Sequence, residues 1–370
     1  MKLALVYDRV NKWGGAERVL ECLHQIWSDA PLYTAIYHPH TAPWAKDFDV
    51  RPSFVNQLPW ASTNHEWYFW LMPLAFETLD LSAYEIVLSV CSDFTKGVIT
   101  KPNQLHLSYI FSPTRYLWLK PQEYRHWSRG LLKPLLPPVL SHLRRWDYLA
   151  AQRPDQILTI SQTVKNQIKK YYHRDSEVIY PPVNTDFFKP INTDQQPNPD
   201  DYYLIVSRLV PHKNLQLAIK VFNQLKLPLK IVGTGRQEPS LRQLAGPNIE
   251  FLGKLTDLEL LSYYQNCRAL IFPGEESFGL TLVEAQAVGK PVIAWRQGGA
   301  TEIIIDHTTG LFFNQPTVKD FQSAVNQFTK LHFNWRSCRQ NALKFSQDKF
   351  NHHMKQTVET AFTKHQRDSL

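Results

Sequence analysis

The 370-residue sequence predicts an α/β protein of two domains, each built on a parallel sheet. Three observations carry this expectation. Strand-like apolar runs alternate with stretches of helical periodicity along most of the chain. A polar segment, Asn192 to Asp201 (NTDQQPNPDD), separates two such alternating halves and has the composition of a linker. Glycines and charged residues fall in the loops just after strands, where open α/β sheets bind ligands in a cleft.

The strands are read as short runs rich in branched and aromatic residues between turn residues. In the first half they are KLALVYD, YEIVLSV, LHLSYIF, QILTIS and EVIY. In the second half they are DYYLIVS, PLKIVG, IEFLG, RALIFP, PVIAW and TGLFF. The expected boundaries are residues 1–190 for the first domain and 191–345 for the second. Residues 346–370 read as a C-terminal helix that could pack on either domain, including back on the first.

Composition narrows the class. Four cysteines, Cys22, Cys91, Cys267 and Cys338, lack metal or disulfide spacing, which points to a reducing compartment, the cytoplasm. The start, MKLALVYDRV, reads as a first strand and not as a signal peptide. The longest apolar run, Trp67 to Phe76 (WYFWLMPLAF), is too short to span a bilayer. Charge is uneven: Arg115 to Arg174 holds twelve Lys/Arg against three acids, whereas residues 1–114 hold eight against eleven. Such a basic belt suits a phosphorylated ligand, an anionic membrane or nucleic acid. No nucleic-acid-binding module is recognisable.

Four loops carry the chemistry. Gly14-Gly15 opens a helix after the first strand and could bring backbone amides to a phosphate, or be an ordinary tight turn. Arg208 and Lys213, around Pro211, could clamp a diphosphate, or be exposed surface bases. Gly233-Thr234-Gly235 follows a strand, but Glu238 stands where a dinucleotide fingerprint needs its third glycine. The segment PGEESFGLTLVEAQAVGKPVIA, Pro273 to Ala294, sets Glu276 before a helix over 280–288 that stops at Gly289. On that helix Leu280, Val283 and Ala287 form the expected inward stripe, with Glu284 beside it. A carboxylate there is costly unless paired or hydrogen-bonded. Two carboxylates about 12 Å apart along the rise, with helix-start amides between, suit a ligand with hydroxyls at both ends and a phosphate in the middle. The alternative is a capping carboxylate and a surface glutamate. Neither a nucleophilic triad nor a Cys/His metal pattern occurs, and a pair of cations can itself stabilise a departing diphosphate. The expected chemistry is cleavage of a bond to a nucleoside diphosphate without a required metal.

These segments resemble family 4 of the retaining glycosyltransferases, a family with the GT-B fold. The motifs are VSRLVPHKN, KIVGTG, the stretch from NIEFLGKLTD through FPGEESFGLTLVEAQAVGKPVIAWRQGGATEII, and TGLFF. GGAERV, YIFSPTRYLW and VIYPPVNTDFF add to them from the first half. The nearest branch is mannosyltransferase-like enzymes that build bacterial polysaccharides on lipid carriers. The resemblance implies two Rossmann-like domains with parallel sheets facing a deep cleft, the first binding the acceptor and the second the nucleotide sugar. It implies that Glu276 contacts the donor sugar and Glu284 the ribose. The amides of Phe278, Gly279 and Leu280 would face sugar and phosphate, with Arg208 and Lys213 on the diphosphate and Gly15 approaching it from the other domain. Glu276, Arg208 and Lys213 would be the catalytic residues. The donor would be GDP- or UDP-linked, with no further cofactor, and the acceptor a glycan or lipid-linked sugar.

Two positions depart from that branch: Phe111 replaces a histidine thought to contact the donor sugar, and Ser277 replaces an Asp. Phe111 implies a deoxy sugar or pentose donor, or weakened catalysis. A silent nucleotide-sugar-binding homologue and an epimerase on the same fold are the alternatives. The aromatic run near Trp67 and Trp70, with the basic belt, suggests peripheral contact with the inner face of an anionic membrane. The bland reading is core packing plus a solvated basic face.

Overall fold

The computed structural model describes residues 2–119, 136–191 and 202–368. The linker expected at Asn192–Asp201 and residues 120–135 of the basic belt lie outside the described residues. The chain forms two compact units: Met1–Pro182 with Phe350–Leu370, and Val183–Lys349.

In the first unit seven strands form one sheet: β1 (Leu3–Val10), β2 (Leu32–Tyr37), β3 (Val50–Pro52), β4 (Ile86–Cys91), β5 (Leu105–Ile110), β6 (Gln156–Thr159) and β7 (Glu177–Val178). Their order is β3-β2-β1-β4-β5-β6-β7, and every pair is parallel. Strands β1, β4 and β5 are buried almost throughout, as parallel strands covered on both faces must be. Strands β2 and β3 went unread in the sequence. The first carries Tyr and Thr among its apolar residues, and the second is a three-residue edge strand ending in Pro52.

In the second unit six parallel strands run β8 (Tyr203–Val206), β9 (Leu229–Val232), β10 (Ile249–Gly253), β11 (Leu270–Phe272), β12 (Val292–Trp295) and β13 (Gly310–Phe313). Their order is β10-β9-β8-β11-β12-β13. The helix Leu215–Leu225 buries Leu215, Ala218, Ile219 and Phe222, a helical stripe, against this sheet. Phe313 and Phe321 stack at 4.4 Å in the same core, and Tyr203 meets Phe222 edge-on at 5.2 Å.

Both sheets grow outward from their first strand in one direction and then, after the third, from its other side. That is the doubly wound Rossmann order, and it creates a switch point between β1 and β4 and another between β8 and β11.

The last helix, Gln347–Asp368, belongs to the first unit from Phe350 onward. Phe350 lies 6.1 Å from Tyr109 of β5, and Thr357 donates to Glu177 of β7 at 3.3 Å. The second unit begins and ends at neighbouring residues: Val183 bridges Ser346, and its N–H donates to the Phe345 carbonyl at 2.9 Å.

Candidate functional site

The second unit's switch point is built from the loops that follow β8 and β11. After β8 the chain runs Ser207–Leu209 and closes in a short turn, Pro211–Lys213. The loop after β9 lies directly on it, backbone against backbone. Leu209 N–H donates to Thr234 O at 2.9 Å, and Gln237 N–H donates to Leu209 O at 3.0 Å. A Cβ on Gly233 would stand 2.0 Å from Ser207 O, and one on Gly235 would stand 2.5 Å from Leu209 O. Gly233 also has φ +124. The Gly233-Thr234-Gly235 segment therefore serves close approach to the Arg208 loop.

The loop after β11 docks on the same turn. A Cβ on Gly274 would be 2.7 Å from Lys213 Cα. Here the structure brings Lys213 and Glu276 together as an ion pair, the lysine buried and the glutamate half-buried. Arg208 is exposed on the neighbouring loop. Glu276 is held from behind by Gly298-Gly299, after β12: Gly299 N–H donates to Glu276 O at 2.9 Å. Side chains on these glycines would meet Glu276 O at 2.3 Å and Phe278 O at 2.2 Å. The sequence reading missed this pair, although a Gly-Gly directly after a strand was the same signal that singled out Gly14-Gly15.

Phe278 is buried against Phe345, 5.5 Å away. Gly279, at φ +106, starts the helix Leu280–Ala287 with no side-chain cap on its first amides. The expected stripe on this helix needs correction. Leu280 is only half-buried, while Leu282 through Ala287 are all buried. The helix is enclosed on all sides because Trp335–Ala342 covers its outer face, with Asn341 Nδ2 donating to Gln286 Oε1 at 2.7 Å. Glu284 thus lies inside, at 3% exposure, and its carboxylate accepts from Tyr264 OH at 2.8 Å. That hydrogen bond satisfies the requirement inferred for it from sequence.

In the first unit Gly14 precedes the helix Gly15–Ile26, again without a side-chain cap. Gly15 is exposed. The first turn carries a carboxylate of its own, buried Glu17, which accepts from Tyr7 OH at 2.7 Å. Burial, and then the charge of Glu17, push the Tyr7 phenol well above its ordinary range. Phe111 sits at the end of β5, half-buried against Tyr109 at 5.5 Å.

The first unit's switch point is charged and rigid. Asp8 of β1 is buried and accepts four amides of the loop after β4, from Ser92 (2.6 Å), Asp93 (2.9 Å), Phe94 (2.7 Å) and Thr95 (3.3 Å). Deeper still, Lys96 pairs with Asp147 at 2.6 Å, both enclosed. Asp147 also accepts from Thr114, Trp118 and Tyr172, each at 2.7 Å. Burial pulls the Lys96 ammonium down, but Asp147, Cys91 and Tyr172 together outweigh it, and the lysine titrates well above its ordinary range. Lys96 and Thr114 both donate to the Asp93 carbonyl. Sequence reasoning had no access to this network, since Lys96 and Asp147 lie 51 residues apart and Asp8 and Asp93 lie 85 apart.

Among the described residues no cluster of His, Cys, Asp and Glu could hold a metal ion. No helix of the described residues is long and apolar enough to cross a membrane. Trp60, Trp67 and Trp70 are exposed at 68%, 62% and 55%.

Two Rossmann-like units, each with a doubly wound parallel sheet, define the fold class as GT-B. The likeness to solved structures supports that fold. The Anabaena protein HepE in complex with UDP aligns over 97% of this chain and 100% of its own, with TM-score 0.74 at 16% identity. Residues 188–345 match the family described as glycosyl transferases group 1. An uncharacterized glycosyltransferase of Methanocaldococcus jannaschii is 30% identical over 183 residues, covering 48% of this chain and 50% of the relative. The O-antigen chain mannosyltransferase RfbU of Salmonella typhimurium is 32% identical over 200 residues, 50% and 53% of the two chains. The chain spans about half the length of the curated relatives it matches.

Proposed function

We propose that the protein is a retaining, family 4 glycosyltransferase that moves a sugar from a nucleoside-diphosphate donor to a glycan or lipid-linked acceptor in polysaccharide synthesis. The observation that carries this reading is the Lys213–Glu276 pair, held at the second switch point by loops that only glycine lets approach so closely. It lies within the segment that matches the group 1 family. RfbU, a mannosyltransferase by name, and HepE, solved with UDP, support the substrate class.

In this reading Lys213 and Arg208 neutralise the departing diphosphate, a stabilisation felt mainly in the transition state. The uncapped helix start at Gly279 and Leu280, with the Phe278 backbone beside it, receives phosphate or sugar oxygens. Glu276 accepts from donor-sugar hydroxyls and Glu284 from the ribose. The acceptor hydroxyl loses its proton to the leaving phosphate, so no protein base is required. Phe111 keeps one rival open, a homologue that binds nucleotide sugar without transferring it. The test is a panel of UDP- and GDP-sugars, read by thermal shift and by donor turnover, with and without EDTA. Turnover that survives chelation is the expected result. Stabilisation without turnover marks the silent binder, and activity lost to EDTA and restored by Mg²⁺ refutes metal independence.

The exposed Trp60, Trp67 and Trp70 support membrane contact. They sit on a segment that packs, through Tyr68, Phe69 and Leu71, on the same core as the helix Leu136–Ala150, whose Arg144 and Arg145 are exposed. Salt-sensitive sedimentation with anionic but not neutral vesicles is expected, each basic residue adding about 1 kcal/mol. Equal, negligible sedimentation with both removes this part of the proposal.

A further inference from the structure

The carboxylate that the donor reading places on the ribose is itself held by a side chain which that reading does not use. Tyr264 stands on the helix Asp257–Asn266, which opens with a capping box: Thr256 N–H donates to Glu259 Oε2 at 2.8 Å, and Glu259 N–H to Thr256 Oγ1 at 3.3 Å. Leu260 and Tyr264, one helical turn apart on the same face, are the residues this helix buries. The Tyr264 phenol donates to Glu284 Oε2 at 2.8 Å, the tyrosine wholly enclosed and the glutamate 3% exposed. The tyrosine ring is set edge-on to Phe188, 5.8 Å away. Phe188 is held in turn through its carbonyl by Arg339 Nη1 at 2.8 Å. The same nitrogen donates to the carbonyls of Thr185 (2.7 Å) and Ala287 (2.9 Å). Ala287 ends the helix that carries Glu284, so phenol, ring and helix end are fixed by one shell of side chains inside the second unit.

A buried tyrosine needs a partner for its O–H, and a backbone carbonyl is enough. Tyr109 uses that of Ile179 at 2.6 Å, and Tyr202 that of Tyr263 at 2.9 Å. Tyr264 meets a carboxylate on an otherwise apolar helix. A phenol fills one of the roughly four acceptor positions of a carboxylate and brings no charge. It fixes the direction of the group without neutralising it. A glutamate left to turn about its side-chain bonds loses that freedom when a ligand binds, and the loss weakens the ligand. One already held in place does not.

We propose that Tyr264 is a positioning residue for donor choice: by holding Glu284 it makes the second unit select ribonucleotide over deoxyribonucleotide donors. This rests on the reading that Glu284 accepts from the ribose. It adds the residue that aims the carboxylate and the class of nucleotide that the pair rejects. In this role Tyr264 touches Glu284 and not the nucleotide.

The experiment uses the full chain and calorimetric titration with UDP, GDP and their dideoxy counterparts, which lack both ribose hydroxyls. The wild type should prefer the better-bound ribonucleotide over its dideoxy form by about a hundredfold. Tyr264→Phe keeps the ring and removes the O–H. It should cut that preference to about tenfold or less, while the dideoxy form binds within about twofold of wild type. A merely structural role would weaken both nucleotides alike. With a sugar donor, KM should rise about tenfold in the variant and kcat stay near wild type, because the ribose lies away from the bond that breaks. If Tyr264→Phe binds no nucleotide, Phe188→Leu replaces it, since it keeps both members of the pair and frees only the ring; the preference should again fall. An unchanged preference overturns the proposal and leaves the donor reading in place. So does a rise, which would mean that the phenol competes with the ribose. A wild type that binds nucleotide without preferring the ribose form takes Glu284 off the ribose and the proposal with it. A wild type that binds neither UDP nor GDP refutes both. Preference lost in Tyr264→Phe, in a protein that transfers no sugar, supports the pair and refutes the transferase reading.

Discussion

The two switch points share a plan and differ in how they are held. Each brings a cation from its sheet's first strand or the loop after it, Arg9 or Lys213, against an acid after the fourth, Asp93 or Glu276. In the first unit the loops are fixed by side chains: Asp8 consumes four amides, and the enclosed Lys96–Asp147 pair anchors what lies beneath. In the second they are fixed by missing side chains, at Gly233, Gly235, Gly274, Gly298 and Gly299. A loop held by carboxylates has spent its N–H groups. In the second unit the glycine-held loop leads into the helix start at Gly279, which has no side-chain cap and, on the proposed function, receives a phosphate.

This contrast can be broken by separating stability from activity. The largest effect is expected from Lys96→Met, which leaves the Asp147 charge buried without its cation. Breaking such a pair costs about 3–5 kcal/mol, visible as an earlier urea midpoint. A loss under about 1 kcal/mol would mean that the enclosed network is not what holds the first unit's loops.

Second in size is Lys213→Ala. Its partner Glu276 is half-exposed, so unfolding should shift by only about 1 kcal/mol. Transfer should nevertheless fall by about a hundredfold to a thousandfold, and likewise in Arg208→Ala. Near-normal turnover in both variants would show that these cations do not meet the diphosphate.

Third, the first unit should be the acid-sensitive one. His106 of β5 is enclosed, with Nε2 against Ser89 at 2.9 Å and no partner for Nδ1. Burial, then Arg153 and Arg174, lower its pKa to about 3. The unfolded chain takes up that proton near pH 6.5 and the folded one does not, so stability is complete above this value and declines as pH falls toward 3. By pH 5 the loss is about 2 kcal/mol. Urea melts across this range should show the slope, and His106→Gln should flatten it; an equal slope in the variant would move the cause elsewhere.

The smallest effect concerns Phe111, whose ring is packed edge-on against Tyr109 at the end of β5. An apolar wall discriminates weakly between a hexose and its 6-deoxy analogue, whereas a hydrogen-bonding residue discriminates strongly. Phe111→His should shift the ratio of kcat/KM toward the full hexose by about tenfold. A wild type already favouring the hexose by orders of magnitude, or an unchanged ratio, would contradict this.

What sequence could reveal followed from locality. All six strands of the second unit were legible, because each is a short apolar run bounded by Pro, Gly or charge. Strand β2 was not, since Tyr33 and Thr34 dilute its pattern and only pairing with β1 and β3 makes it a strand. The site loops were legible through their glycines and bases, and Glu284 through its misfit with an apolar helix. Its partner Tyr264 was not, for a contact 20 residues away leaves no local mark. The stripe assigned to Leu280, Val283 and Ala287 failed for the same reason: the covering helix, Trp335–Ala342, is distant in sequence.

The near meeting of Val183 and Ser346 has a consequence for inheritance and engineering. A folded body whose ends adjoin can be spliced into a host, or lifted out, through two junctions and without stretching either partner. Residues 183–349 are in this sense a cassette, and the host closes around the gap by way of its late helix. If the second unit binds the donor, as the proposed function has it, exchanging that cassette between related chains transplants the choice of donor and leaves the host unit unchanged.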